Sequence, residues 1–165
     1  MKFSNNLKNK IFSKETIISL TVVFAIFIFD RITKVTIIKN QLNNQSIFVT
    51  DYLNFELVWN TGIGFGLFSQ NANLYYHLIS LLIFTVIIFL IYLIVKAEFL
   101  EKFLYCLILG GALGNFYDRL IYFAVPDFID FHINDFHWFT FNIADIFITL
   151  GIFLIIIKDT IFRKK

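Results

Sequence analysis

Asp127 and Asp145 are the residues of this sequence best placed to do chemistry. Asp127 follows Pro126, where the apolar run 103–125 gives out. Asp145 lies inside the next apolar run, 139–157, three residues after Asn142. The 18-residue separation suits an outer hairpin that returns one carboxyl beside the other where two helices adjoin. Two carboxyls in a poorly hydrated site cannot both ionise readily, so they titrate as a coupled pair. One charged and one neutral aspartate is what aspartic-type peptide hydrolysis needs: the charged member takes a proton from water, and the neutral one donates to the scissile carbonyl. The same pair also suits ion passage or simple helix pairing, and the residues alone leave that alternative open.

Other polar groups sit where lipid tolerates few. The run 16–38 holds Asp30, Arg31 and Lys34; the run 103–125 holds Asn115, Asp118 and Arg119; the run 139–157 holds Asn142 and Asp145. A charge near a bilayer centre costs roughly 2.5–3.5 kcal/mol, so such residues mark places where they meet partners or water. Asp30 and Lys34 are four apart, share a helix face and can pair. Asn115, Asp118 and Arg119 form one polar face at i, i+3 and i+4, on which Arg119 and Asp118 are read as an ion pair and Asn115 keeps free donors and acceptors. Gly110, Gly111 and Gly114 allow close helix packing.

Three further clusters carry weaker signals. The glycines of Asn60-Thr61-Gly62-Ile63-Gly64-Phe65-Gly66 lack the strand–turn–helix setting of a dinucleotide fingerprint, and fit instead an unusual backbone beside a ligand or another chain. Asp130, His132, Asp135 and His137 could hold zinc, yet without a helical His pair they read as solvated loop residues, and no metal is expected. Cys106 is the sole cysteine, excludes a disulfide framework and reads as a packing residue.

These groups need elements to hold them. Of the 165 residues, 58% are hydrophobic, and mean hydropathy is +0.75. Soluble domains hold about 45–50% apolar residues, so the chain reads as one integral membrane domain over 1–165. A net charge of +2 gives no case for nucleic acid as a partner. The runs 16–38, 74–95, 103–125 and 139–157 are each about long enough to span as helices. Basic residues collect in the N-terminal segment (Lys2, Lys8, Lys10, Lys14), the 96–102 turn and the tail (Lys158, Arg163, Lys164, Lys165). Segments 40–73 and 126–138 therefore face outward and both termini face the cytoplasm. A cleaved signal peptide is less well supported, because no small-residue cleavage site follows Phe29. That orientation puts all the in-span polar residues near one depth, toward the outer face. Span two, clean except for His77, reads as scaffold. Alternation from Val49 to Trp59 reads as one half-buried strand, broken by Asp51.

With those motifs in place, the chain resembles bacterial lipoprotein signal peptidase, or signal peptidase II, over nearly its whole length. The likeness rests on DRITK at 30–34, NTGIGFG at 60–66, GGALGNFYDR at 110–119, VPDFIDF at 125–131 and FNIADIFI at 141–148. It implies a mainly α membrane protein, a four-helix transmembrane bundle with a small outward β-cradle. It implies Asp127 and Asp145 as catalytic residues, with Asp30, Lys34, Asn60, Gly62, Asn115, Asp118, Arg119 and Asn142 contacting substrate or supporting the site. The implied reaction removes the signal peptide of a diacylglyceryl-modified prolipoprotein just before its lipidated cysteine, in the bacterial cytoplasmic membrane, by a monomer without cofactor. A proton- or ion-coupled transporter is the rival class. Pro126 and Gly64 depart from the residues more usual in that family.

Overall fold

The computed structural model describes residues 13–40, 46–62, 73–134 and 136–162. Lys2, Lys8, Lys10, Gly64, Gly66, Asp135, Arg163, Lys164 and Lys165, read above, lie outside the described residues. Element order is α1 (Lys14–Asn40), β1 (Ile47–Thr50), β2 (Leu53–Asn60), α2 (Asn73–Lys96), α3 (Phe99–Tyr122), β3 (Val125–Ile133), β4 (Phe136–Phe141) and α4 (Ile143–Phe162). The architecture is mainly helical with one small antiparallel sheet. Among the described residues, three helices are long and apolar enough to cross a membrane: Lys14–Asn40, Tyr76–Lys96 and Phe99–Tyr122. α4 has 20 residues and carries Asp145 near its start and Lys158 and Asp159 near its end.

α3 is the central helix, packed against α1, α2 and α4. Small residues make that possible, since without Cβ atoms two backbones can approach closely. A Cβ at Gly111 would collide with the Ala144 carbonyl of α4, and one at Gly110 would lie 2.9 Å from Ile26 Cβ of α1. Cys106 is 1% exposed beside Ser19, as a packing residue would be. Ile87 and Leu90 of α2 meet Ile108, Leu109 and Ala112 of α3 in a second apolar contact.

The expected spans 16–38 and 74–95 match α1 and α2 closely, but the other two are displaced. α3 ends at Tyr122, where Phe123 takes a left-handed φ of 55° that closes the helix. Val125 already belongs to β3, so Pro126 is the second residue of a strand and not a helix stop. Phe139 and Phe141 belong to β4, and α4 begins only at Ile143. Buried strands are short apolar runs, which hydropathy cannot separate from the helices they adjoin.

The sheet has order β1-β2-β3-β4, antiparallel throughout. The single strand expected over 49–59 is a hairpin, turning at Asp51 and Tyr52. Leu53, Phe55 and Leu57 face inward as expected and pack with Ile37, Phe128 and Ile129. Trp59 is 44% exposed, against the expected alternation, and Asn60 is buried. The cause is a register shift between Phe55 and Val58, a bulge that exchanges the two faces of the strand. That bulge aims Asn60 into the protein.

Candidate active site

Asn142 organises the site. It precedes α4 as its N-cap, and its Oδ1 accepts from the Asp145 backbone N–H at 3.1 Å. The Asp145 carboxylate returns the bond, its Oδ2 accepting from the Asn142 N–H at 3.2 Å. This reciprocal capping box satisfies amides that a helix start leaves open and fixes the Asp145 side chain at the same time. The remaining end of Asn142, Nδ2, donates to Asp127 Oδ1 at 2.5 Å. One side chain therefore bonds to both aspartates, one on β3 and one on α4.

Asp127 is 2% exposed. Its Oδ2 accepts from Asn60 Nδ2 at 2.9 Å, while Asn60 Oδ1 accepts from the Gly62 N–H at 2.9 Å. With both ends committed, the Asn60 amide has one orientation. Burial pushes the Asp127 carboxyl up to about 7, and the nearby Asp145 charge pushes the same way; the amides of Asn60 and Asn142 and the Lys34 charge only partly oppose them. A carboxyl so placed holds its proton up to neutral pH.

Asp145 Oδ1 accepts from Asn115 Nδ2 at 2.8 Å. Asn115 Oδ1 accepts in turn from Lys34 Nζ at 2.8 Å, and Lys34 also donates to Asp30 Oδ2 at 2.9 Å and Asp118 Oδ2 at 2.7 Å. An ammonium has three protons, and all three are used. Arg31 completes the group by pairing with Asp118 Oδ1 at 2.6 Å. Two acids and two bases thus offset one another among side chains that, Arg31 apart, are fully buried. Asp30 Oδ1 also accepts the Ala144 N–H at 3.0 Å, fixing the first turn of α4 from α1. Gly114 is required here, since a Cβ would sit 2.5 Å from Asp30 Oδ2.

Arg119 does not pair with Asp118, contrary to the sequence reading. Adjacent helical residues diverge by about 100°, so Asp118 faces α1 while Arg119 turns toward Gly62, whose carbonyl accepts from Nη2. Nε and Nη1 of Arg119 are buried without a partner among the described residues. Nor is Asn115 free, since both ends of its amide are bonded. Tyr76 was not anticipated: its hydroxyl donates to the Arg119 carbonyl at 2.5 Å. A tyrosine near a span terminus reads as an interfacial anchor, so sequence gave no signal for it. Arg31 was visible as an in-span charge, but its partner lay 87 positions away.

A cleft of about 450 Å³ opens on these groups, lined by Asn60, Asn115, Arg119, Asp127 and Asp145 at its polar end. Its apolar walls include Leu82, Val86 and Leu90 of α2 and Ile148 and Ile152 of α4. Span two is therefore part of the site as well as scaffold. Asp30, Lys34 and Asp118 are fully buried and do not line the cleft, so they hold it from behind.

Apolar helices enclosing a paired-carboxylate cleft define a membrane enzyme, and relatives make that specific. A family model described as signal peptidase (SPase) II matches residues 22–161. A lipoprotein signal peptidase of Pelagibacter ubique is 46% identical over 159 residues, covering 95% of this chain and 96% of that protein. One from Anaplasma phagocytophilum is 39% identical over 92% of this chain and 96% of that protein. A solved bacterial membrane enzyme superposes with a TM-score of 0.74 at 34% identity, covering 89% of this chain and 91% of that one. A second gives 0.73 at 30%, covering 89% and 94%. The chain belongs to the signal peptidase II family, and its activity is that of a lipoprotein signal peptidase. The transporter alternative finds no support in these relatives.

Proposed function

We propose that the chain is an aspartic endopeptidase that cuts diacylglyceryl-modified prolipoproteins just before the lipidated cysteine, with Asp127 and Asp145 as its catalytic pair. The observation that carries this reading is Asn142, whose side chain donates to the Asp127 carboxylate while its backbone N–H donates to that of Asp145, at the polar end of an otherwise apolar cleft. Asp127, held up to about 7, carries the proton and donates it to the scissile carbonyl. Asp145 accepts a proton from the attacking water. The water oxygen bonds to the carbonyl carbon, and the tetrahedral intermediate then releases the new amine with a proton returned from the pair.

The apolar walls of α2 and α4 receive the signal helix from the lipid, while its unwound cleavage region reaches the polar end. Unpaired substrate amides and carbonyls are costly in a site sheltered from water. The Nε–H and Nη1–H of Arg119, unpartnered among the described residues, are donors for such carbonyls, with Asn115 beside them. Asp30, Lys34, Asn60, Gly62, Asp118 and Asn142 act by positioning.

In this reading all four helices span the bacterial cytoplasmic membrane and the chain works as a monomer among lipids. Glu15 with Lys102 ties the start of α1 to the start of α3, and Glu101 with Lys158 ties the start of α3 to the end of α4. Lys14 and Lys96 mark the same end, opposite the sheet, which supports a cytoplasmic placement of both termini and an outward site. The test uses purified protein and a diacylglyceryl-modified prolipoprotein. Asp127→Asn and Asp145→Asn should each lower kcat by about 10²–10⁴ or more. Wild-type rates in either variant would end the proposal.

A further inference from the structure

Asp130, His132 and His137 stand outside the network described above. Alternation along β3 turns Asp130 and His132 to the face opposite Asp127. His137 comes from β4 and is the register partner of His132. The sequence reading made these residues solvated loop groups, but Asp130 is 3% exposed and His132 8%, while His137 remains 54% open on its side chain. His137 Nδ1 lies 2.8 Å from Asp130 Oδ2 and His132 Nδ1 lies 3.3 Å from the same oxygen. The three potential donor atoms all fall within 4.8 Å of one another.

We propose that Asp130 Oδ2, His132 Nδ1 and His137 Nδ1 form a binding site for a divalent transition metal, with zinc the preferred ion. Two imidazoles and one carboxylate are a zinc donor set, and bonds of about 2.0–2.2 Å place tetrahedral ligands about 3.4 Å apart. The His132–carboxylate separation of 3.3 Å is already near that value, and the 2.8 Å His137 contact must lengthen as the ion replaces its hydrogen bond. Asp130 supplies the negative charge. Without metal, His137 Nδ1 is hydrogen-bonded to Asp130 Oδ2. An entering ion displaces that proton, so that both rings keep theirs on Nε2 and offer the Nδ1 lone pairs.

Two buried polar atoms on this face support a ligand. His132 Nδ1 has no hydrogen-bond partner among the described residues, despite its nearness to Asp130. Asn54, the register partner of Asp130 on β2, has an Oδ1 likewise unpartnered among them. A water in the fourth metal position, on the side that the open His137 leaves accessible, donates to Asn54 Oδ1. The ion then clamps β3 to β4, the hairpin whose two ends carry Asp127 and Asn142.

Untagged full-length protein in detergent, stripped with chelator, is titrated with Zn²⁺ against a chromophoric competitor. One equivalent should bind, and Co²⁺ should give the visible absorption of a four-coordinate site. Outer-shell partners of zinc ligands already contribute about 10- to 100-fold in affinity, so His132→Ala and His137→Gln should each weaken binding by at least about 100-fold. His137→Gln lies at an open position and keeps the test valid if His132→Ala does not fold. Absence of saturable binding, or equal binding in wild type and His137→Gln, would overturn the assignment.

Discussion

Replacing Asn60 by alanine removes a buried donor from Asp127 without touching Asp145. In the folded protein Asn60 Nδ2 reaches Asp127 Oδ2 at 2.9 Å, and that bond favours the ionised carboxylate. A hydrogen bond to a charged group is worth about 1.5–3 kcal/mol, and one pKa unit is 1.36 kcal/mol. Without Asn60, Asp127 should therefore titrate about 1–2 units higher than its present value of about 7. The proposed mechanism needs one proton on the pair, so activity should fall as pH rises through that titration. The alkaline limb of kcat/KM against pH, which reports the free enzyme, should move from near 7 in the wild type to about 8–9 in Asn60→Ala. The assay is cleavage of a diacylglyceryl-modified prolipoprotein in detergent from pH 5 to 10. Residual rates suffice, because the position of the limb is what is read. A limb that stays in place, or moves to lower pH, would refute the assignment of the shared proton to Asp127.

Three other substitutions test the frame. Lys34→Met leaves Asp30 and Asp118 without their common cation, and breaking a buried pair costs about 3–5 kcal/mol, read as a fall in unfolding midpoint in detergent. Gly114→Ala drives a Cβ to 2.5 Å from Asp30 Oδ2, and overpacking of this kind costs about 1–3 kcal/mol, with a parallel loss of activity as Asp30 releases the Ala144 amide. Asp127 itself costs stability when ionised. A carboxyl raised on folding from 3.8 to about 7 binds its proton more tightly in the folded state, so stability falls as pH rises between those values. The full loss is on the order of 4 kcal/mol at 1.36 kcal/mol per unit. Asp127→Asn should therefore flatten the pH dependence of unfolding across that window, even as it abolishes cleavage. An unchanged profile would show that Asp127 does not titrate there.

Much of the site was legible because charged and amide residues in apolar helices are conspicuous. Asp30 and Lys34 pair as their spacing predicts. Asp118 shows the limit of such reasoning. Its nearest opposite charge along the chain is Arg119, yet its partners are Lys34 and Arg31 on another helix. Spacing fixes which side chains share a face of one helix, but not which neighbouring helix that face meets. His132 departs from its solvated-loop reading for a related reason: sheet pairing buries it on β3, a contact between segments that local composition does not record, while His137 on β4 stays exposed.

Sequence by itself determined that the chain is built on long apolar helices with polar residues set among them, since lipid and the backbone's hydrogen-bonding demand are severe local filters. Where α3 ends and α4 begins was a tertiary decision, because Val125 at the start of β3 and Phe139 and Phe141 at the end of β4 continue the apolar runs of the helices they adjoin. So was the inward turn of Asn60, which follows from a bulge in strand pairing that no local pattern records. The bond from Asn142 to Asp127 exists only once the sheet has set β3 beside the first turn of α4. Contacts between distant segments depend on the packing of every element, and that information is not local to any stretch of the chain.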